Sequence, residues 1–155
     1  MLKITIIAVG KLKERYWRDA IDEYLKRLRP YASVSILEIA DAPDSLGDQI
    51  ARDKEGQSIL KALPADADTV LLDVGGTSRS SEGIAKWLDR SMTEGTSHIA
   101  LIIGGSNGVS ESVRSSAQST LSLGPVTLPH NLARVVLIEQ LYRAFKIMRN
   151  EPYHK

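Results

Sequence analysis

Most of the chemistry this sequence can do lies between Leu121 and Lys155, which read LSLGPVTLPHNLARVVLIEQLYRAFKIMRNEPYHK. A Gly124-Pro125 loop runs through Val126, Thr127, Leu128, Pro129 and His130 into an amphipathic stretch bearing Arg134, Arg143, Lys146 and Arg149. A tail of Pro152, Tyr153, His154 and Lys155 follows. The order reads as a ligand loop, a packing helix and a polar terminus. Chain ends are ordinarily frayed and indifferent in composition. Here a phenol and an imidazole sit among charged neighbours, where they can stack, hydrogen-bond or take a proton. On pattern alone a functional tail and a disordered end both stay open.

Two more loops have the composition of a ligand site. Gly75-Gly76 after Asp73, and Gly104-Gly105 after Ile103, let backbone approach a ligand without a Cβ in the way, although glycines also simply turn a chain. The run Gly104-Gly105-Ser106-Asn107-Gly108 lacks the G-x-G-x-x-G spacing, and G-x-x-x-x-G-K-[ST] occurs nowhere, so a nucleotide triphosphatase is disfavoured. A hydrolase is disfavoured too, because His130 is as apt to hydrogen-bond within its loop as to serve as a base. The chain has no cysteine, which removes thiolate catalysis and disulfides, and His98, His130 and His154 are dispersed, so no metal is predicted.

These loops need a scaffold, and the apolar pattern supplies one. Leu2 to Val9, Ser33 to Ile39, Thr69 to Val74 and His98 to Ile103 read as strands. Between them, Leu12, Tyr16, Ala20, Tyr24 and Leu28 recur every four residues in a helix of roughly 18 residues that stops at Pro30. Ile50 to Leu63 reads as a helix capped by Asp44 or Ser45, and Ile84, Trp87, Leu88 and Met92 as another after Ser80. Ser110 opens a short helix, Ser119 to Leu123 leads into the Gly-Pro loop, and Asn131 caps the last helix. Strands alternating with helices predict an α/β fold, a mostly parallel sheet with helices on both faces, in a single domain over residues 1–155. In such a sheet the ligand loops lie beyond the carboxyl ends of the strands.

With 43% hydrophobic residues the chain can bury a core, yet it has no run of about 18 apolar residues and no secretory leader pattern. The expectation is a cytoplasmic protein with no membrane span. Its net charge of +1 hides an uneven spread. Residues 1–30 carry eight basic and four acidic side chains, and residues 131–155 carry five and two. If the two ends meet they make a surface able to hold phosphates; the alternative is two ordinary solvated helix faces.

Several segments together resemble the SPOUT class of trefoil-knotted methyltransferases, and within it the family that methylates N3 of a pseudouridine in large-subunit ribosomal RNA. They are Ile6-Ile7-Ala8-Val9-Gly10-Lys11-Leu12-Lys13, Asp53-Lys54-Glu55-Gly56, Leu72-Asp73 with Gly75-Gly76 and Ser80-Ser81, Ile103-Gly104-Gly105 with Gly108, and the whole terminal segment. The resemblance implies a C-terminal trefoil knot and S-adenosylmethionine as cofactor. Leu72, Gly104, Gly124, Pro125, Val126, Thr127, Leu128 and Pro129 would hold that cofactor. Arg143, Tyr153 and His154 would engage RNA and the target base, with His154 the first candidate for the proton acceptor. It also implies a homodimer in which one subunit's tail completes the other's pocket, with the assembled ribosome as partner. A non-catalytic RNA-binding factor and a transfer-RNA methyltransferase are the competing readings.

Overall fold

The computed structural model describes residues 1–154. Five strands, β1 (Leu2–Val9), β2 (Ala32–Ile39), β3 (Asp68–Leu72), β4 (His98–Ile103) and β5 (Ser119–Leu121), alternate with five helices. The helices are α1 (Arg15–Leu28), α2 (Asp48–Ala62), α3 (Ser81–Thr93), α4 (Glu111–Ser116) and α5 (His130–Met148). Every pairing is parallel and the sheet order is β2-β1-β4-β3-β5. The α/β expectation therefore holds. The chain moves outward from β1 to β2, then fills the other side, so the order switches between β1 and β4.

Side chains of a strand alternate between faces, and the two cores divide accordingly. Ile4, Ile6 and Ala8 of β1, with Ile99, Leu101 and Ile103 of β4, meet Leu28 of α1, Leu88 of α3 and Leu137, Leu141 and Phe145 of α5. On the other face Ile7 and Val9, with Ile102 and Leu71, meet Ile59 of α2 and Val113 of α4. Both sides are covered, which is why β1 and β4 read as continuous apolar runs. The α5 helix lies against both α1 and α3.

Local chemistry moves several boundaries from their predicted places. Leu12 is buried but precedes α1, because its amide donates to the Glu38 carboxylate instead of entering a helix. Asp44 and Ser45 fall in a single 3-10 turn, Asp44–Leu46, and α2 begins after Gly47, whose φ of 81° suits a residue without a Cβ. β3 stops at Leu72 rather than Val74, because Asp73 Oδ1 accepts from the Gly75 amide and turns the chain. Ser119–Leu121, read from the sequence only as the lead into the Gly-Pro loop, forms the fifth strand, at the edge of the sheet beside β3. Asn131 does not cap α5: the helix starts at His130 behind Pro129, with no side-chain cap. Ser80 and Ser110 do cap α3 and α4, their hydroxyls accepting from the amides of Gly83 and Val113.

Candidate active site

The carboxyl ends of β3, β4 and β5 open into a cavity of about 520 Å³. Its walls are Leu72 at the end of β3, Ile103, Gly104 and Gly105 at the end of β4, and the loop from Leu123 to Pro129 that leads into α5. Of the eight residues expected at a cofactor pocket, Leu72, Gly104, Gly124, Val126, Thr127, Leu128 and Pro129 line it, while Pro125 is outside the lining. The glycines are needed for packing as well as access. A Cβ on Gly104 would stand 2.7 Å from Val109 Cγ1, and one on Gly105 would stand 2.9 Å from Val9 Cγ1.

The loops of the cavity are tied together by Ser122, which is buried. Its hydroxyl lies 2.9 Å from the Val74 carbonyl and 3.1 Å from the Gly124 carbonyl, and it accepts from the Gly124 amide at 3.1 Å. The Thr77 amide donates to Thr120 Oγ1, which draws the Gly75-Gly76 turn onto the same strand. Among the described residues, three charged or titratable side chains face the cavity, Asp73, Arg114 and His130. Arg114 pairs with Asp73, and the guanidinium holds the Asp73 carboxyl below its ordinary range. His130 Nδ1 is buried and has no hydrogen-bond partner among the described residues.

Gly104-Gly105-Ser106-Asn107-Gly108 also spells the G-x-S-x-G of a nucleophile elbow, so the case against a hydrolase rests on geometry. In an elbow the serine sits on a strained strand-to-helix turn with a histidine in reach. Here Gly105 and Gly108 close a tight turn on each other, α4 begins three residues after Gly108, and exposed Ser106 donates to no imidazole among the described residues.

The cavity suits a largely apolar group that also offers hydrogen-bonding atoms. Its walls are mostly aliphatic, its one ion pair is internally neutralised, and the backbone amides of Val126, Thr127 and Leu128 make no hydrogen bond among the described residues. Val126 stands exposed at the lip of the cavity. Among the described residues no group of three or more histidine and acidic side chains gathers to hold a metal, and no helix is long and apolar enough to cross a membrane.

A second cluster gathers Arg143, Tyr153 and His154. The tail folds back on α5: the Tyr153 ring meets Tyr142 edge-on with centroids 4.8 Å apart, and the Arg143 guanidinium lies 4.7 Å from the Tyr153 ring centre. Glu139 anchors both, accepting from Arg143 Nη2 at 3.0 Å and from the Tyr153 hydroxyl at 3.1 Å. His154 Nδ1 lies 3.1 Å from Arg143 Nη1, and Nε2 lies 2.7 Å from Glu82 of α3. A guanidinium only donates, so Nδ1 is the acceptor and the ring proton sits on Nε2, donated to Glu82. Burial, and then the neighbouring Tyr24 hydroxyl and Glu139 carboxylate, push the Tyr153 phenol well above its ordinary value. The tail is thus docked through His154; Lys155 lies outside the described residues.

The two clusters do not meet within one chain. His130 borders the cavity at the start of α5, and Arg143 is thirteen residues along the same helix. At the helical rise that is about 20 Å. Sequence reading missed Ser122, the Asp73–Arg114 pair and Glu139. Ser122 looks like any loop serine in a sequence, whereas Glu139 at four residues before Arg143 carried a usable signal.

A family model described as "Predicted SPOUT methyltransferase" matches residues 2–154 of this chain.

Proposed function

This chain belongs to the SPOUT methyltransferase family, and from that premise we propose that it methylates N3 of a pseudouridine in large-subunit ribosomal RNA, as a cytoplasmic homodimer acting on the ribosome. Enzymes of this family take their methyl group from S-adenosylmethionine, so methyl transfer itself follows from membership. The observation that carries the finer reading is the separation of two complementary half-sites along α5, one apolar and backbone-lined, the other built from Arg143, Tyr153 and His154. A second copy whose tail reaches the cavity brings the halves together, and the trefoil knot belongs with that reading.

S-adenosylmethionine supplies an electrophilic methyl carbon on a positive sulfur that leaves as a neutral thioether, so the protein must align two reactants and manage one proton. Leu72, Gly104 and the 124–129 loop would hold it. The proton is the one on N3 of the target base, which has to leave for the nitrogen to attack. His154 is suited to take it at Nδ1, an acceptor now engaged by Arg143. When an RNA phosphate draws Arg143 away, that lone pair is released to the base. Tyr153, held protonated, contributes a ring for stacking and a hydroxyl for hydrogen bonding rather than a base. Glu139 sets the orientation of both.

The test is to give the protein labelled S-adenosylmethionine with intact ribosomes, free ribosomal RNA and transfer RNA in parallel, and to map the label. Label on a large-subunit pseudouridine, strongest with ribosomes, is expected. Label on transfer RNA would reassign the substrate, and salt-sensitive RNA binding without any label would leave a non-catalytic factor.

A further inference from the structure

The segment after β1 has a construction that neither cavity nor tail explains. Between Lys11 and Asp19 stand four cations, Lys11, Lys13, Arg15 and Arg18, against two carboxylates, Glu14 and Asp19. Lys11 and Lys13 are exposed and form no ion pair among the described residues. Arg15 makes only a 3.7 Å pair with Asp19, both side chains open to water and thus screened. Tyr16 is 64% exposed, tilted against Trp17 with centroids 5.1 Å apart, while Trp17 itself packs on the core. One aromatic anchors the first turn of α1 and leaves the other standing in solvent.

A merely solvated loop has no need to be rigid, yet this one is held by side chains at successive backbone groups. Arg134 of α5, only 1% exposed, donates from Nη2 to the Gly10 carbonyl at 3.1 Å and from Nη1 to Glu38 at 2.7 Å. Glu38 accepts the Leu12 amide at 3.1 Å. Arg18 Nη1 reaches the carbonyls of Leu12 and Lys13 at 3.3 and 3.2 Å. A buried arginine and a carboxylate thus fix the backbone while the lysine side chains remain free. The loop also starts at the reactive edge of the sheet: the His130 ring, which borders the cavity, lies 3.4 Å from where a Cβ on Gly10 would be.

Resting on the reading of this chain as an RNA methyltransferase, we infer that residues 11–18 form a preorganised RNA-docking element, in which Lys11, Lys13 and Arg15 contact phosphates and Tyr16 stacks on an unpaired base. Arg134 is its positioning residue. Phosphate contacts give affinity that falls with salt, and an exposed ring accepts any base face, so the element supplies grip and placement rather than sequence discrimination. Its charge favours RNA over a protein partner, because cations interleaved with an aromatic match a polyanion with exposed bases.

The experiment compares the intact protein with the Lys11→Gln/Lys13→Gln/Arg15→Gln triple variant and with Tyr16→Ala and Tyr16→Phe. It uses naked ribosomal RNA and intact ribosomes across a salt series, with S-adenosylmethionine affinity measured on each variant. Removing three phosphate contacts should flatten the slope of log K against log salt by about 2 to 3. Tyr16→Ala should weaken RNA binding by roughly tenfold while Tyr16→Phe retains it. Cofactor affinity should not move, since none of the four residues lines the cavity. An unchanged slope and affinity on naked RNA would overturn the inference, as would a loss seen with ribosomes alone, which would assign the surface to a protein contact. If the unaltered protein labels no RNA but the variants still lose salt-dependent RNA binding, the methylation reading falls and the docking element stands.

Discussion

Gly56→Ala is the perturbation for which the structure gives opposing terms large enough to weigh. Gly56 lies in the interior of α2, where exchange for alanine by itself favours the helix by about 1 kcal/mol. The new Cβ, however, would stand 2.3 Å from the Ser110 hydroxyl, 3.1 Å from Ser110 Cβ and 3.3 Å from Val113 Cγ2. Ser110 caps α4, so turning its hydroxyl aside costs the cap, about 1 kcal/mol. The contact with Ser110 Cβ cannot be relieved by any rotation, and the strain of parting α2 from α4 adds about 1 to 3 kcal/mol. The clash wins, with a net loss of roughly 1 to 3 kcal/mol. For a chain of this length that lowers the melting temperature by about 3 to 10 °C. Urea and thermal unfolding of both proteins check it, and adding Ser110→Gly to Gly56→Ala should recover part of the loss. A Gly56→Ala protein as stable as the original, or more stable, would refute the reasoning, since propensity alone would then govern the site.

Ser122→Ala removes the hydroxyl that bridges Val74 and Gly124, and should weaken S-adenosylmethionine binding roughly tenfold while leaving helix content intact, measured by calorimetry and circular dichroism. Burial raises the Glu38 carboxyl, but the bonds from Arg134 and the Leu12 amide outweigh it and hold the group below its ordinary value. A depressed folded value means its stabilisation is present at pH above the ordinary carboxylate range and is lost as pH falls through and below it. Glu38→Gln should therefore cost about 2 to 3 kcal/mol near neutrality, by stranding buried Arg134, and show a shallower acid loss; stability curves that run parallel would contradict this. Arg143→Ala should lower RNA affinity about ten- to hundredfold and spare cofactor affinity, and the reverse pattern in paired binding titrations would remove Arg143 from the RNA side.

The strands that sit in the middle of the sheet were the easiest to read. Ile4 to Val9 and Ile99 to Ile103 are buried on both faces, so their apolar runs are continuous and need no partner to be recognised. Boundaries failed where a side chain competed with the backbone pattern. Glu38 takes the Leu12 amide and Asp73 takes that of Gly75, and in each case the competing contact ends or delays an element that periodicity alone would extend. The cavity lining was legible in part, because Gly104-Gly105 and an apolar loop fall together at strand ends, whereas Gly75-Gly76 turn the chain outside the lining. The order of the tail was not, since it depends on Glu82 and Glu139 meeting His154 and Tyr153, contacts that exist only once α3 and α5 are packed.

The pairing of β1 with β4 also sets a timetable for synthesis. Lys3 of β1 sits opposite His98, ninety-five residues later in the chain, so one edge of a strongly apolar strand stays open until β4 has been made. At ribosomal rates of about 5 to 20 residues per second that wait lasts roughly 5 to 20 seconds, with β2 able to cover only the opposite edge. An open edge of this kind is a template for pairing with other chains. Yield of folded protein should accordingly fall when synthesis is slowed and recover when holding chaperones are abundant, independent of how stable the finished molecule is.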